Sequence, residues 1–125
     1  RLAPDMLPLV SQIRIASDAA KACVARLAGQ EPPKFEDNES TVDELRQRIR
    51  KTLEYVQSVP AADIDGSEDR DITIPLRNRD PLHFKGDFYL RHWALPNFLF
   101  HCSMTYALLR HNGVDLGKSD FLAVP

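Results

Sequence analysis

The stretch GDFYLRHWALPNFLFHCSMTYALLRHNG, residues Gly86 to Gly113, decides the fold. Phe88, His92, Leu95, Leu99, Cys102, Tyr106 and Leu109 fall four and three residues apart, the spacing of one helical stripe. A second seam beside it carries Ala94, Asn97, Phe98, His101, Thr105 and Leu108. A helix apolar on two sides belongs inside a bundle. Pro96 lies within it and predicts a kink that releases a carbonyl near His92. Asn112-Gly113 supplies a stop, with Val114 placed for the apolar contact that accompanies such caps.

Upstream, Ile72-Thr-Ile-Pro-Leu76 and Leu82-His-Phe84 alternate apolar and polar around residues 77–81, which reads as a short hairpin with Pro75 on an edge. Two strands cannot stand alone in water, so Ile72, Ile74, Leu82 and Phe84 should lie against helices. Thr41-Val-Asp-Glu44 is a capping-box pattern that opens a helix with the stripe Val42, Leu45, Ile49, Leu53 and Val56, ended by Pro60. Its Arg46, Arg48, Arg50 and Lys51 read as a solvated face. Residues 30–40 form a polar, proline-bearing loop. Before it, Met6, Val10, Ile13, Ser17, Ala20, Val24 and Leu27 predict a helix from about Asp5 to Leu27, stopped by Gly29. Ala16, Ala19, Ala22 and Ala25 on its other faces would let neighbouring helices approach closely. The tail is expected to pack back through Leu116, Phe121 and Leu122.

The whole chain of 125 residues is therefore read as one domain, all-α, with three long helices and a short β-hairpin before the last. Composition agrees: 43% hydrophobic and 27% charged residues are those of a globular protein. Sixteen basic against eighteen acidic residues leave a net charge of -2, far from the basic balance that nucleic-acid binding exploits. No apolar run approaches the ~18 to 20 residues needed to cross a bilayer. A cytoplasmic protein with no nucleic-acid or membrane partner is the expectation. Cys23 and Cys102 lack paired metal or redox spacing and read as free thiols.

His101 carries most of the chemical interest, sharing a face with Asn97 one turn earlier. That pair could bind a ligand in the core, although a buried histidine is more often satisfied by a neighbour's side chain or carbonyl. His92 lies on the opposite seam and cannot join it. Cys102 points ~100° away from its neighbour His101, which excludes a thiol and base pair. Gln12 and Asp18 are polar residues of the first helix that need partners if they face the bundle, and Asp18 could serve His101, Arg48 or neither. The five carboxylates from Asp63 to Asp71 miss calcium-loop spacing, since Gly66 stands fourth instead of sixth. His83 and His111 read as exposed. No phosphate loop, nucleophile elbow or paired-glutamate motif occurs.

Arg1-Leu-Ala-Pro-Asp-Met-Leu-Pro-Leu9 with Gln12 and Asp18, Phe35-Glu-Asp-Asn-Glu-Ser-Thr41, Pro96-Asn-Phe-Leu-Phe-His101, Tyr106-Ala-Leu-Leu-Arg-His-Asn-Gly-Val114 and Gly117-Lys-Ser-Asp-Phe121 together resemble the domain of unknown function 1993 family. The resemblance spans essentially the whole chain. It implies a DinB/YfiT-like bundle of four helices, whose better-known members bind a divalent metal through three histidines. Some of those are thiol-dependent transferases or isomerases. It also implies a further N-terminal helix ahead of the first one here, so the face that helix would cover should be buried in a homodimer. The family pattern His-x-x-x-His reads here as Asn97-x-x-x-His101, and the first helix has no histidine.

Two functions follow from these residues. The first is a bundle that binds a small molecule or partner through a pocket near Asn97 and His101, with Gln12 and Asp18 beside them and no metal. The alternative is a divergent DinB-like metal-assisted or thiol-dependent enzyme, with His101 as ligand or base and Gln12 or Asp18 completing the shell.

Overall fold

The computed structural model describes residues 1–125. Helix α1 spans Leu9–Leu27 and begins four residues later than the periodicity implies, because Pro8 holds Leu7 out of the helical region. The Pro8 carbonyl instead accepts the first helical bonds, from Ser11 and Gln12. The far end is closed by paired bonds from Gly29 N to Arg26 O and Gln30 N to Ala25 O, with Gly29 at φ +73°. Helix α2, Val42–Ser58, opens with the expected capping box: Glu44 N donates to Thr41 Oγ1 at 3.2 Å, and Thr41 N donates back to Glu44 Oε2 at 2.9 Å. A single turn, α3 (Ala61–Ile64), leads on to the hairpin.

Strands β1 (Asp71–Leu76) and β2 (Arg79–Lys85) pair antiparallel, Asp71 opposite Lys85 and Ile74 opposite Leu82. The turn is shorter than the expected five residues: Leu76 pairs with Arg79, leaving Arg77 and Asn78, the latter at φ 60°. The register slips between Ile74 and Leu76, where Pro75 faces Asp80 and Pro81. Two prolines without N–H groups cost the ladder least at such an irregularity.

The last helical run is continuous but not uniform. One α turn, α4 (Gly86–Phe88), passes into a π-helical segment, Tyr89–Ala94, and then into α5, Leu95–His111. Before Pro96 the turn is widened, and Leu95 N bonds Leu90 O five residues back, so the missing proline N–H is met by a π-helical segment. At the other end Val114 N donates to Leu109 O and Gly113 N to Arg110 O, the stop anticipated at Asn112-Gly113. In the short α6, Lys118–Leu122, Phe121 meets the Tyr106 ring edge-on, but Leu122 is exposed and does not pack back.

Helix α1 lies between α2 and α5 and packs along both, whereas α2 and α5 scarcely meet. The apolar core sits at the hairpin end: Leu27, Ile72, Ile74, Tyr89 and Ala94 are buried together, with Leu82 and Phe84 against them as the strand pattern anticipates. No helix is long and apolar enough to cross a membrane.

The seam of α2 departs from its sequence pattern. Leu45, Arg48 and Thr52 are buried, while Val42, Ile49 and Leu53 are exposed. Arg48 is therefore not part of a solvated face. Its guanidinium meets Asp18 at 2.9 Å, Glu39 and Asp37 at 3.0 Å each, and the Glu36 carbonyl at 3.1 Å. Charged acceptors on three sides make a buried guanidinium tolerable, though its Nε is left without a partner. Arg14 takes the other Glu39 oxygen at 2.8 Å. Burial pushes the Glu39 carboxyl up, but hydrogen bonds from Arg48, its own backbone and Arg14 outweigh this and hold it below the usual carboxylate range. The loop between α1 and α2 is thereby tied to both helices, and the Phe35 ring sits between the Lys21 and Lys51 ammonium groups.

Candidate cavity between helix α1 and the π-helical segment

Gln12, Asp18, Asn97 and His101 occupy two separate places. Deep between α1 and α5, His101 Nδ1 lies 2.7 Å from Gln12 Oε1. The Gln12 amide nitrogen donates to the Leu7 carbonyl at 3.2 Å, which turns its oxygen toward the ring. Nδ1 must then carry the proton and donate it. Burial alone pushes the His101 pKa below its ordinary value, so the ring is neutral at pH 7. Phe100 meets it edge-on. This is the satisfied core histidine that a buried imidazole most often is.

Asp18 turns away from His101 toward Arg48 and Lys21, at 2.9 Å from each. It also lines, with Asn97, a cavity of about 220 Å³ that His101 does not reach. The cavity follows from the local sequence. Ile15, Asp18, Ala19, Ala22 and Arg26 form one stripe of α1, and the two alanines leave unfilled the space that larger side chains would occupy. The facing wall comes from Ile74 of β1 and from Tyr89, Trp93 and Asn97. Four-residue spacing puts those three residues on one side of the run, two of them in the π-helical segment, and such segments recur at functional sites.

The polar groups in this cavity are few and specific. Arg26 Nη1 donates to the Tyr89 hydroxyl at 3.3 Å. Burial pushes the Tyr89 phenol up, against the lowering effect of Arg26, so it stays protonated. The Asn97 amide, half-buried, forms no hydrogen bond within the chain. Nearby Cys23 is a free thiol whose pKa burial pushes up to about 11, with Arg26 only partly opposing, which makes it a poor nucleophile. Cys102 is likewise free and is raised by burial.

The sequence reading missed Arg26, Tyr89 and Trp93. Nothing in the residue pattern singles out Arg26, and nothing in the period marks a π segment. Only Trp93, the single tryptophan, carried any signal.

A divalent metal does not fit these residues. No group of three or more His, Cys, Asp or Glu converges anywhere in the chain. Beside the His101 ring the side-chain partner is the Gln12 amide, and one imidazole with a neutral amide is a poor ligand set for zinc or nickel.

A crystal structure of a DinB family member protein from Shewanella denitrificans is 41% identical to this chain and superposes with a TM-score of 0.87. The match covers 98% of this chain and 68% of that one. No curated protein matches the chain. Residues 1–122 match the family model of a domain of unknown function, DUF1993. With that match over nearly all its length, and with the bundle and hairpin described above, the chain belongs to the DUF1993 family and is similar to DinB-family bundles.

Proposed function

We propose that this domain binds a small molecule in the cavity between α1, β1 and the π-helical segment, with Asp18 and Asn97 on its walls. The Asn97 amide carries the reading. It is half-buried, has no partner in the chain and borders an alanine-lined hollow that also holds the Arg26 and Tyr89 donors. Its polar atoms remain open to water, since the one buried side-chain atom left unpaired in the chain is Arg48 Nε, and a molecule entering the hollow would take these hydrogen bonds in place of solvent. Gln12 and His101 then act at a distance, fixing α5 against α1. The reading takes no metal and assigns no reaction. A thermal-melting screen with a panel of small ligands tests it: binders are expected to raise the melting temperature of the wild type and not of Asn97→Leu. A panel that stabilises neither protein would contradict it.

The same proposal places the domain in the cytoplasm, as a homodimer. Ile49, Leu53 and Val56 of α2 and Phe98 and Cys102 of α5 border an open apolar groove of about 410 Å³ over α1. Ile49 and Leu53 are 41% and 52% exposed, the kind of contiguous patch that marks an association surface.

A further inference from the structure

Arg26 stands where three hollows adjoin: the 220 Å³ cavity, a cleft of about 390 Å³ over the loop after α1, and a recess of about 320 Å³ beside β1. It has no carboxylate partner, and its one polar contact is the long bond to Tyr89. A guanidinium has five N–H donors, so most of these are uncommitted. The end of α1 does not take them, because the Val24, Ala25 and Arg26 carbonyls already accept from Ala28, Gln30 and Gly29. Nearby carboxylates are engaged elsewhere: Asp18 by Lys21 and Arg48, Asp71 by Lys85 at 2.6 Å. Lys34 and Arg70, also outside any ion pair, line the adjoining hollows, where Glu31 is the one unengaged carboxylate.

We propose that the ligand is a small organic acid, its carboxylate held by Arg26 and its apolar body resting against Trp93 and Ile74. This rests on the cavity reading above and names the class of molecule the cavity takes. The Tyr89 hydroxyl accepts from Arg26 and so has its own proton to offer an acceptor. The Asn97 amide adds N–H donors on the same wall. Donors gathered beside an apolar wall match a carboxylate on a hydrocarbon body, and a guanidinium binds a carboxylate through two parallel bonds.

Trp93 is the only tryptophan and lines the cavity, so its emission reports occupancy. The probes are benzoate and benzamide, close in shape and different in charge. Benzoate should change the emission saturably and bind about tenfold or more tightly than benzamide. Arg26→Gln should erase that preference, and Arg26→Lys, which restores the charge, should recover part of it. Should Arg26→Gln fail to melt cooperatively, the wild-type comparison of the two probes decides. Equal affinity for the two probes, or an undiminished preference in a folded Arg26→Gln, overturns the organic-acid assignment and leaves the cavity as a binding site. No saturable response to either probe overturns both.

Discussion

His101 is kept neutral by burial and oriented by Gln12, which offers it an oxygen because the Gln12 nitrogen is already committed to Leu7. Its folded pKa lies below the ordinary 6.5. As pH falls through that value the unfolded chain therefore takes up the proton first. The stabilising contribution is complete above about pH 6.5 and is lost as pH falls toward the folded value. Urea denaturation at pH 7.5 and pH 5.5 should show the wild type losing more stability than His101→Gln; equal losses would remove His101 from the account. The need of Gln12 for a partner was legible from the sequence, but the pocket expected to join Asn97 with His101 was not found, since Asn97 lines the cavity that His101 does not reach. The choice of partner for Gln12 was not legible, because it depends on how α1 and α5 are rotated against each other. Arg48 shows the same limit. It sits three residues after Leu45 and four before Thr52, on the seam that is buried, yet an arginine among arginines reads as surface until its four acceptors are in place.

Among the elements, the connection between α1 and α2 is held by charge more than by apolar packing. Arg48 ties three of its residues, Glu36, Asp37 and Glu39, to α2 and ties α2 to Asp18 of α1. Replacing it with Met keeps the stem and leaves the Glu39 carboxylate, whose side chain is 8% exposed, with Arg14 as its one remaining cation. Arg48→Met should cost about 3 kcal/mol, the low end of the range for breaking a buried pair because Asp18 and Asp37 are partly solvated. A loss under about 1 kcal/mol in chemical denaturation would mean the network is no stronger than a surface pair. The capping box and both glycine stops were readable because each is a local device with its own residues. The π-helical segment was not. Pro96 announces a missing donor, but the period of apolar residues carries no sign that the turn before it widens, with Tyr89 and Ala94 buried in the core.

At the scale of the whole molecule, α1 is sandwiched by α2 and α5, and the groove between those two remains open. Light scattering should give the mass of two copies, and Leu53→Glu, which places a charge in the groove, should give one; a monodisperse wild-type monomer would contradict the homodimer. The layout of three helices and a hairpin followed from hydrophobic period. The cavity did not, since it comes from small side chains of α1 meeting a widened turn some seventy residues away in the chain.

The central claim is that this cavity is a binding site, and filling it tests that most directly. Wild type and Ala22→Leu would be titrated side by side with the same small ligands, read through Trp93 emission and controlled by their melting curves. The account predicts saturable binding to the wild type that Ala22→Leu loses while remaining folded. Binding of equal strength to both, or to neither, would contradict it.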